Sequence, residues 1–145
     1  MIQYNLAGRG GKEQEYMEFA KNELGLELER SPKTCKLYDF VDQNGNKIEL
    51  KKQLDTQWLN LYSYVELTED DKNIKVHFAV ISKEGAIENV YEVPLGVLID
   101  IVWSKEKFKD AHAWVVKHGT KDQLKTSVQV RKFVKENYKV VKKIY

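Results

Sequence analysis

The sequence predicts an α/β (α+β) layer fold. Three observations carry that expectation: short apolar runs bounded by turn residues, apolar stripes at helical spacing between them, and a length of 145 residues that suits one domain with one core. Hydrophobic residues make up 42% and charged residues 32%, which excludes a disordered chain. No apolar run approaches the roughly 18–20 residues of a membrane span, and the opening MIQYNLAGRGGKEQ has no apolar signal-peptide core, so a cytoplasmic protein is expected. The single cysteine, Cys35, excludes an internal disulfide and any zinc cage built on cysteines.

The elements follow in order. Tyr16, Phe19, Ala20 and Leu24 form a helical stripe between Gly11 and Gly25, and Gly25 suits the position just past the helix end. Lys36–Asp42 and Asn46–Lys52 read as two strands around a QNGN turn. Residues 55–67 are ambiguous between helix and strand. Asn73–Ser82 and Ala86–Val93 read as a hairpin about Lys83-Glu84-Gly85, and Pro94 then opens a helix over Leu95–Phe108. Ala111–Lys117 is a predicted strand, HGTKDQLKTS a loop, Ser127–Asn137 a helix and Tyr138–Ile144 a last strand. The whole is read as a single domain over residues 1–145.

The first hairpin carries the chemistry, and its register decides whether a site exists. With a two-residue loop at Asn44-Gly45, Asp39 faces Leu50 and lies on the opposite sheet face from Glu49 and Lys51. With a three-residue loop, Gln43-Asn44-Gly45, Gly45 takes the left-handed conformation and Asp42 starts the turn. Asp42 then pairs with Asn46, Phe40 with Ile48, Asp39 with Glu49 and Tyr38 with Leu50. That register sets apolar residues opposite apolar ones and gathers Asp39, Glu49 and Lys51 on one face, so cross-strand packing favours it. Two facing carboxylates repel, and a divalent cation with a preference for oxygen, Mg²⁺ or Mn²⁺, relieves the repulsion. Lys51 is placed to orient or deprotonate a water, or to stabilise charge on a phosphate. Asp39, Glu49 and Lys51 are the candidate catalytic residues. Asp39 and Glu49 are the candidate metal ligands, with the Leu50 carbonyl as a third.

An acidic residue, a short gap and then ExK, here YDFVDQNGNKIELKK, resembles the signature of the PD-(D/E)XK nuclease superfamily. The chain resembles the PvuII type of type II restriction endonuclease more specifically. The likeness runs from Gly10, Gly11 and Lys12 through VDQNGNKIELK and the hairpin FAVISKEGAIENVYEVP to the terminal Lys143–Tyr145. It implies a restriction-endonuclease-like core, a central mixed β-sheet flanked by helices. It also implies a Mg²⁺-dependent endonuclease on double-stranded DNA that acts as a homodimer, with a companion DNA methyltransferase. Three features depart from the pattern. The long N-terminal segment that builds the dimer in such enzymes is missing. KQLDTQWLNLYSY replaces the histidine-rich recognition loop, and Lys36 stands where those enzymes carry a glutamate. Dimer geometry and target sequence stay open.

The formal charge of +2 is a cancellation. Residues 1–103 carry 12 basic and 18 acidic groups, and residues 104–145 carry 12 and 4. The lysine-rich third suits phosphate contacts, which give affinity without sequence information. Base reading needs amides, hydroxyls or arginine at the groove edge. Gln123 and Thr126, flanked by Lys121 and Lys125, are one set of candidates; Gln57 and Asn60 are the other. With three arginines in the chain, adenine reading by Gln or Asn is more available than guanine reading.

Plainer readings stand beside these. Asp39, Glu49 and Lys51 could form a solvated polar sheet face, and the lysine-rich tail a solubilising one. Trp58, Tyr62 and Tyr64 could stack bases, but aromatics so close together more often belong to a core or an interface. GRGGK lacks the spacing of a phosphate loop. His77, His112 and His118 have no metal-ligand spacing. A structure-specific nuclease of the same superfamily (junction resolvase or repair type) and a non-catalytic DNA-binding module remain the alternatives.

Overall fold

In the computed structural model, residues 3–8, 12–32, 37–53, 56–60, 64, 67–104, 113, 117 and 125–145 are described. Tyr16, Phe19 and Ala20 are fully buried, and this stripe seats the first helix, α1 (Glu13–Phe19), on the sheet. The helix continues through a π-helical turn, Ala20–Leu24, and stops at Gly25, whose φ of 68° is the left-handed conformation expected past a helix end. The helix thus starts two residues after Gly11 and ends where its glycine predicts.

Strands β1 (Glu29–Arg30), β2 (Phe40–Val41), β3 (Lys47–Gln53), β5 (Lys75–Ile81), β6 (Ile87–Pro94) and β8 (Lys142–Lys143) form a six-stranded sheet in the order β1-β2-β3-β5-β6-β8. β3 and β5 run parallel and every other pair is antiparallel, so the sheet is mixed. A separate antiparallel ribbon pairs β4 (Thr56–Asn60) with β7 (Lys125–Gln129). The helices α2 (Leu95–Trp103) and α3 (Val130–Glu136) complete the α+β fold.

Alternation along the central strands creates two cores. Ile48, Leu50, Ala79, Ile81 and Val90 face α1 and pack with Tyr16, Phe19 and Phe40. Val76, Phe78, Val80 and Val93 face the other way and pack with Leu95, Leu98, Ile99 and Val102 of α2 and Val130 and Phe133 of α3. Leu59 of β4 and Val128 of β7 belong to this second core, so the ribbon is anchored on the α2 side. Pro94 opens α2 as expected, and the Leu95 N–H donates to the Ile74 carbonyl at 2.7 Å. The β5–β6 hairpin turns at Gly85, where φ is 96° and an added Cβ would strike Asn5 and Ala7.

Several predicted elements differ. The strand expected over Lys36–Asp42 is reduced to Phe40–Val41, with Leu37, Tyr38 and Asp39 outside the ladder and Lys36 outside the described residues. Ala113 and Lys117, the described residues of the predicted strand Ala111–Lys117, are helical; periodicity does not separate a short apolar strand from a buried helical segment. Residues 125–129 are strand rather than loop and helix start, because pairing with β4 overrides local preference. The final strand keeps only Lys142–Lys143, since residues 137–140 form a turn with the Val140 N–H on the Asn137 carbonyl. α2 ends at Trp103; residues 105–110 lie outside the described residues. β1 was not anticipated at all. Among the described residues, no helix is long and apolar enough to cross a membrane.

Candidate functional site

The turn between β2 and β3 takes the three-residue form. Gly45 has a φ of 82°, the Asp42 N–H donates to the Asn46 carbonyl at 2.9 Å, and Phe40 pairs with Ile48. Asp42 locks the loop with its side chain. Its Oδ1 accepts the Asn44 and Asn46 N–H groups at 2.9 Å each, and its Oδ2 accepts from Asn46 Nδ2 at 3.0 Å. Burial pushes the Asp42 carboxyl up, but the Asn46 and Asn44 hydrogen bonds and the Lys75 charge outweigh it and hold the group below the ordinary range.

Beyond Phe40 the regular pairing stops, and the expected Asp39–Glu49 and Tyr38–Leu50 ladder pairs are not made. The Asp39 N–H donates to the Ile48 carbonyl at 2.8 Å, although Ile48 already pairs with Phe40. Two residues set against one is the pattern of a bulge, which re-aims a side chain. The Asp39 carboxylate turns along the strand edge, and its Oδ2 accepts the Leu50 N–H at 2.8 Å. In an extended strand the N–H and C=O of one residue point to the same side. The Leu50 carbonyl therefore faces the edge where β2 has ended and Asp39 lies.

Glu49 and Lys51 pair with Val76 and Phe78 on β5 and so share the α2 face. Glu49 is buried at 9% exposure, and its Oε1 lies 3.9 Å from Lys51 Nζ, an ion pair longer than a hydrogen bond. Tyr64 joins them. Its side chain is buried in the same core, near enough to Lys51 to act on the charge of its ammonium. Burial pushes the Lys51 ammonium down, but Tyr64, Glu49 and Asp39 together raise it above the ordinary lysine range. Lys51 is thus a cation at neutral pH, fitted to orient a group or stabilise negative charge rather than to take a proton. Burial likewise pushes the Tyr64 hydroxyl up, against the pull of Lys51.

Asp39, Glu49 and Lys51 carry a net charge of −1, which suits a cation. Among the described residues, no group of three or more His, Cys, Asp and Glu gathers at one point. An ion held here would take the Asp39 and Glu49 carboxylates and the Leu50 carbonyl, with water completing the shell, a hard all-oxygen set that fits Mg²⁺.

The nominated DNA-contacting residues are divided. Gln57, Asn60, Lys125 and Thr126, picked from segments far apart in sequence, meet on the β4–β7 ribbon. Asn60 pairs with Lys125, whereas Gln57 pairs with Val128 and Thr126 with Leu59. Since Leu59 and Val128 are buried, the positions of Gln57 and Thr126 share the core-lined face, and those of Asn60 and Lys125 the other. Lys121 and Gln123 lie outside the described residues.

Sequence reasoning took Tyr64 for a base-stacking, core or interface aromatic and missed its nearness to Lys51. It also missed a second polar group, on the α1 face. Tyr16 Oη lies 2.7 Å from Nδ1 of the fully buried His77, and His77 Nε2 lies 2.9 Å from Glu92 Oε2. With Nε2 protonated toward the carboxylate, Nδ1 accepts from the Tyr16 hydroxyl and the chain of donors and acceptors closes. Burial, with the Glu92 charge adding to it, pushes the Tyr16 hydroxyl far above its ordinary range. No family model matches the chain, and a comparison with curated proteins gives no significant match.

Proposed function

We propose that the chain is a Mg²⁺-dependent endonuclease that hydrolyses phosphodiester bonds of double-stranded DNA, of the type II restriction kind and on a restriction-endonuclease-like fold. The observation that carries this reading is the convergence of Asp39, Glu49, the Leu50 backbone and Lys51 at one sheet edge, with two carboxylates set against one ammonium. Asp39, Glu49 and the Leu50 carbonyl hold the ion, for which Mn²⁺ can substitute. When bound, the ion supplies Lewis acidity to the scissile phosphate and makes a neighbouring water a stronger nucleophile. Lys51 orients that water and stabilises the charge that gathers on the phosphate oxygens.

DNA reading falls to the β4–β7 ribbon, which leaves the catalytic strand after a short connection and is anchored to the same face. A two-stranded ribbon fits the major groove of duplex DNA. Asn60 and Lys125 stand at positions on the ribbon face away from the core, an amide suited to adenine beside a cation suited to phosphate. Palindromic targets present two related scissile bonds, so the working form is a homodimer with one site per strand. Cytoplasmic residence and a companion methyltransferase follow from the same reading.

Digestion of linear DNA of known sequence with Mg²⁺, followed by sequencing of the ends, tests this. Discrete fragments with a common end sequence are expected. Cutting confined to branched or single-stranded DNA would replace the restriction reading by a structure-specific nuclease. Gel shift of duplex DNA with no cutting in Mg²⁺ or Mn²⁺ would leave only a binding module.

A further inference from the structure

The turn that sets the β2–β3 register also contains a reactive pair. Asn44 is followed by Gly45, and none of the other seven asparagines in the chain precedes a glycine. An asparagine side-chain amide lies within reach of the next residue's backbone nitrogen, and a glycine there has no side chain to obstruct the approach. Both residues are exposed, and the Asn44 side chain makes no hydrogen bond among the described residues. Asn46 differs on both counts: its Nδ2 is held by Asp42 Oδ2 at 3.0 Å, and Lys47 follows it.

Asp42 restrains the pair. Its carbonyl accepts the Gly45 N–H at 3.1 Å, and its Oδ1 accepts the N–H groups of Asn44 and Asn46 at 2.9 Å each. Ring closure requires the Gly45 nitrogen to give up its proton and swing onto Asn44 Cγ, and neither happens while that N–H points at Asp42. The buried Asp42 carboxylate adds a negative charge that opposes loss of the proton.

We propose that Asn44 is a site of spontaneous covalent modification that the folded turn holds in check. When the turn opens, the deprotonated Gly45 nitrogen bonds to Asn44 Cγ. The Cγ–Nδ2 bond breaks, and the amide nitrogen leaves as ammonia with the proton that Gly45 gave up. One water then opens the cyclic imide. Attack at the side-chain carbonyl leaves an aspartate at position 44; attack at the main-chain carbonyl leaves an isoaspartate, which carries the backbone through an extra methylene. Either product adds a carboxylate beside Asp42, and the isoaspartate lengthens a loop whose length fixes the register. The change thus acts on the placement of Asp39 without altering any residue of the site. The chemistry itself does not depend on the nuclease reading.

The test follows position 44 of the full chain by peptide mass spectrometry, with fragmentation that tells isoaspartate from aspartate. Wild type is incubated at mildly alkaline pH, folded and in urea. Conversion is expected in urea and about tenfold or more slower in the folded protein, because the turn's hydrogen bonds must first open. No conversion at position 44 in urea would overturn the site, and equal rates would overturn the restraint. Asp42→Ala should convert without urea at a rate approaching that of the unfolded wild type. A rate as slow as the folded wild type would overturn the role of Asp42; should the variant unfold, the wild-type comparison alone decides. The modified fraction, separated by ion exchange on its added charge, should unfold at a lower urea concentration than the unmodified one. Equal midpoints would overturn the claim that the change reaches the register.

Discussion

The two faces of strands β3 and β5 each bury polar groups, and they do so in opposite ways. On the α1 face, Tyr16, His77 and Glu92 are joined at 2.7 and 2.9 Å, and every polar atom along the line can find its complement. On the α2 face, Glu49 and Lys51, with Asp39 at the adjoining strand edge, combine two carboxylates with one ammonium, and the Glu49–Lys51 contact is 3.9 Å. A closed network fixes how a helix sits on a sheet and has nothing left to offer a ligand. Two carboxylates beside one ammonium at a strand edge leave an excess negative charge, and a bound cation offsets it. We read the first as scaffold and propose the second as the site of chemistry.

The strongest way to break this contrast is to neutralise one carboxylate. Glu49→Gln and Asp39→Asn should each lower Mg²⁺-dependent cleavage by about a hundredfold or more and abolish Mn²⁺ binding measured by calorimetry. Neither change should melt the fold, because each amide keeps the size of the carboxylate and an oxygen that can accept a hydrogen bond. On the other face the signs reverse. Tyr16→Phe strands the buried His77 Nδ1 without its donor and should cost about 1–3 kcal/mol in urea unfolding, with the cleavage rate of the folded protein unchanged.

Asp42 sharpens the comparison from the side of the turn. Asp42→Ala removes three hydrogen bonds around the loop that sets the β2–β3 register and should cost about 2 kcal/mol. The smallest effect is a pH dependence. The His77 hydrogen bond, against burial and with the Lys75 and Lys142 charges, holds the Glu92 carboxyl below its ordinary range. A carboxylate lowered in the folded state contributes stability that is full above its unfolded value, about 4, and lost as pH falls through the folded one. The stability difference between wild type and Glu92→Gln should therefore be largest at neutral pH and shrink in acid below about pH 4.

The site was legible where its geometry is local. Asp42, Gly45 and the match of Phe40 to Ile48 lie within nine residues, and turn chemistry with cross-strand packing decides between two registers. Pro94 at the mouth of α2 and Gly25 at the end of the first helix are legible for the same reason. What escaped depends on distant partners. Asp39 leaves the ladder through a bulge that no residue preference announces, and Tyr64 joins the core under β3 and β5 through tertiary packing alone. Tyr16 and His77 are 61 positions apart. The β4–β7 ribbon pairs Thr56 with Gln129, so a segment that reads locally as loop and helix becomes strand.

The central claim is that chemistry resides on one face and scaffold on the other, and cleavage of duplex DNA by Lys51→Ala and Tyr16→Phe, measured side by side in Mg²⁺, tests it most directly. The account predicts that Lys51→Ala binds DNA but no longer cuts it, while Tyr16→Phe, assayed below its lowered melting temperature, cuts at the wild-type rate. Cutting retained by Lys51→Ala would contradict it.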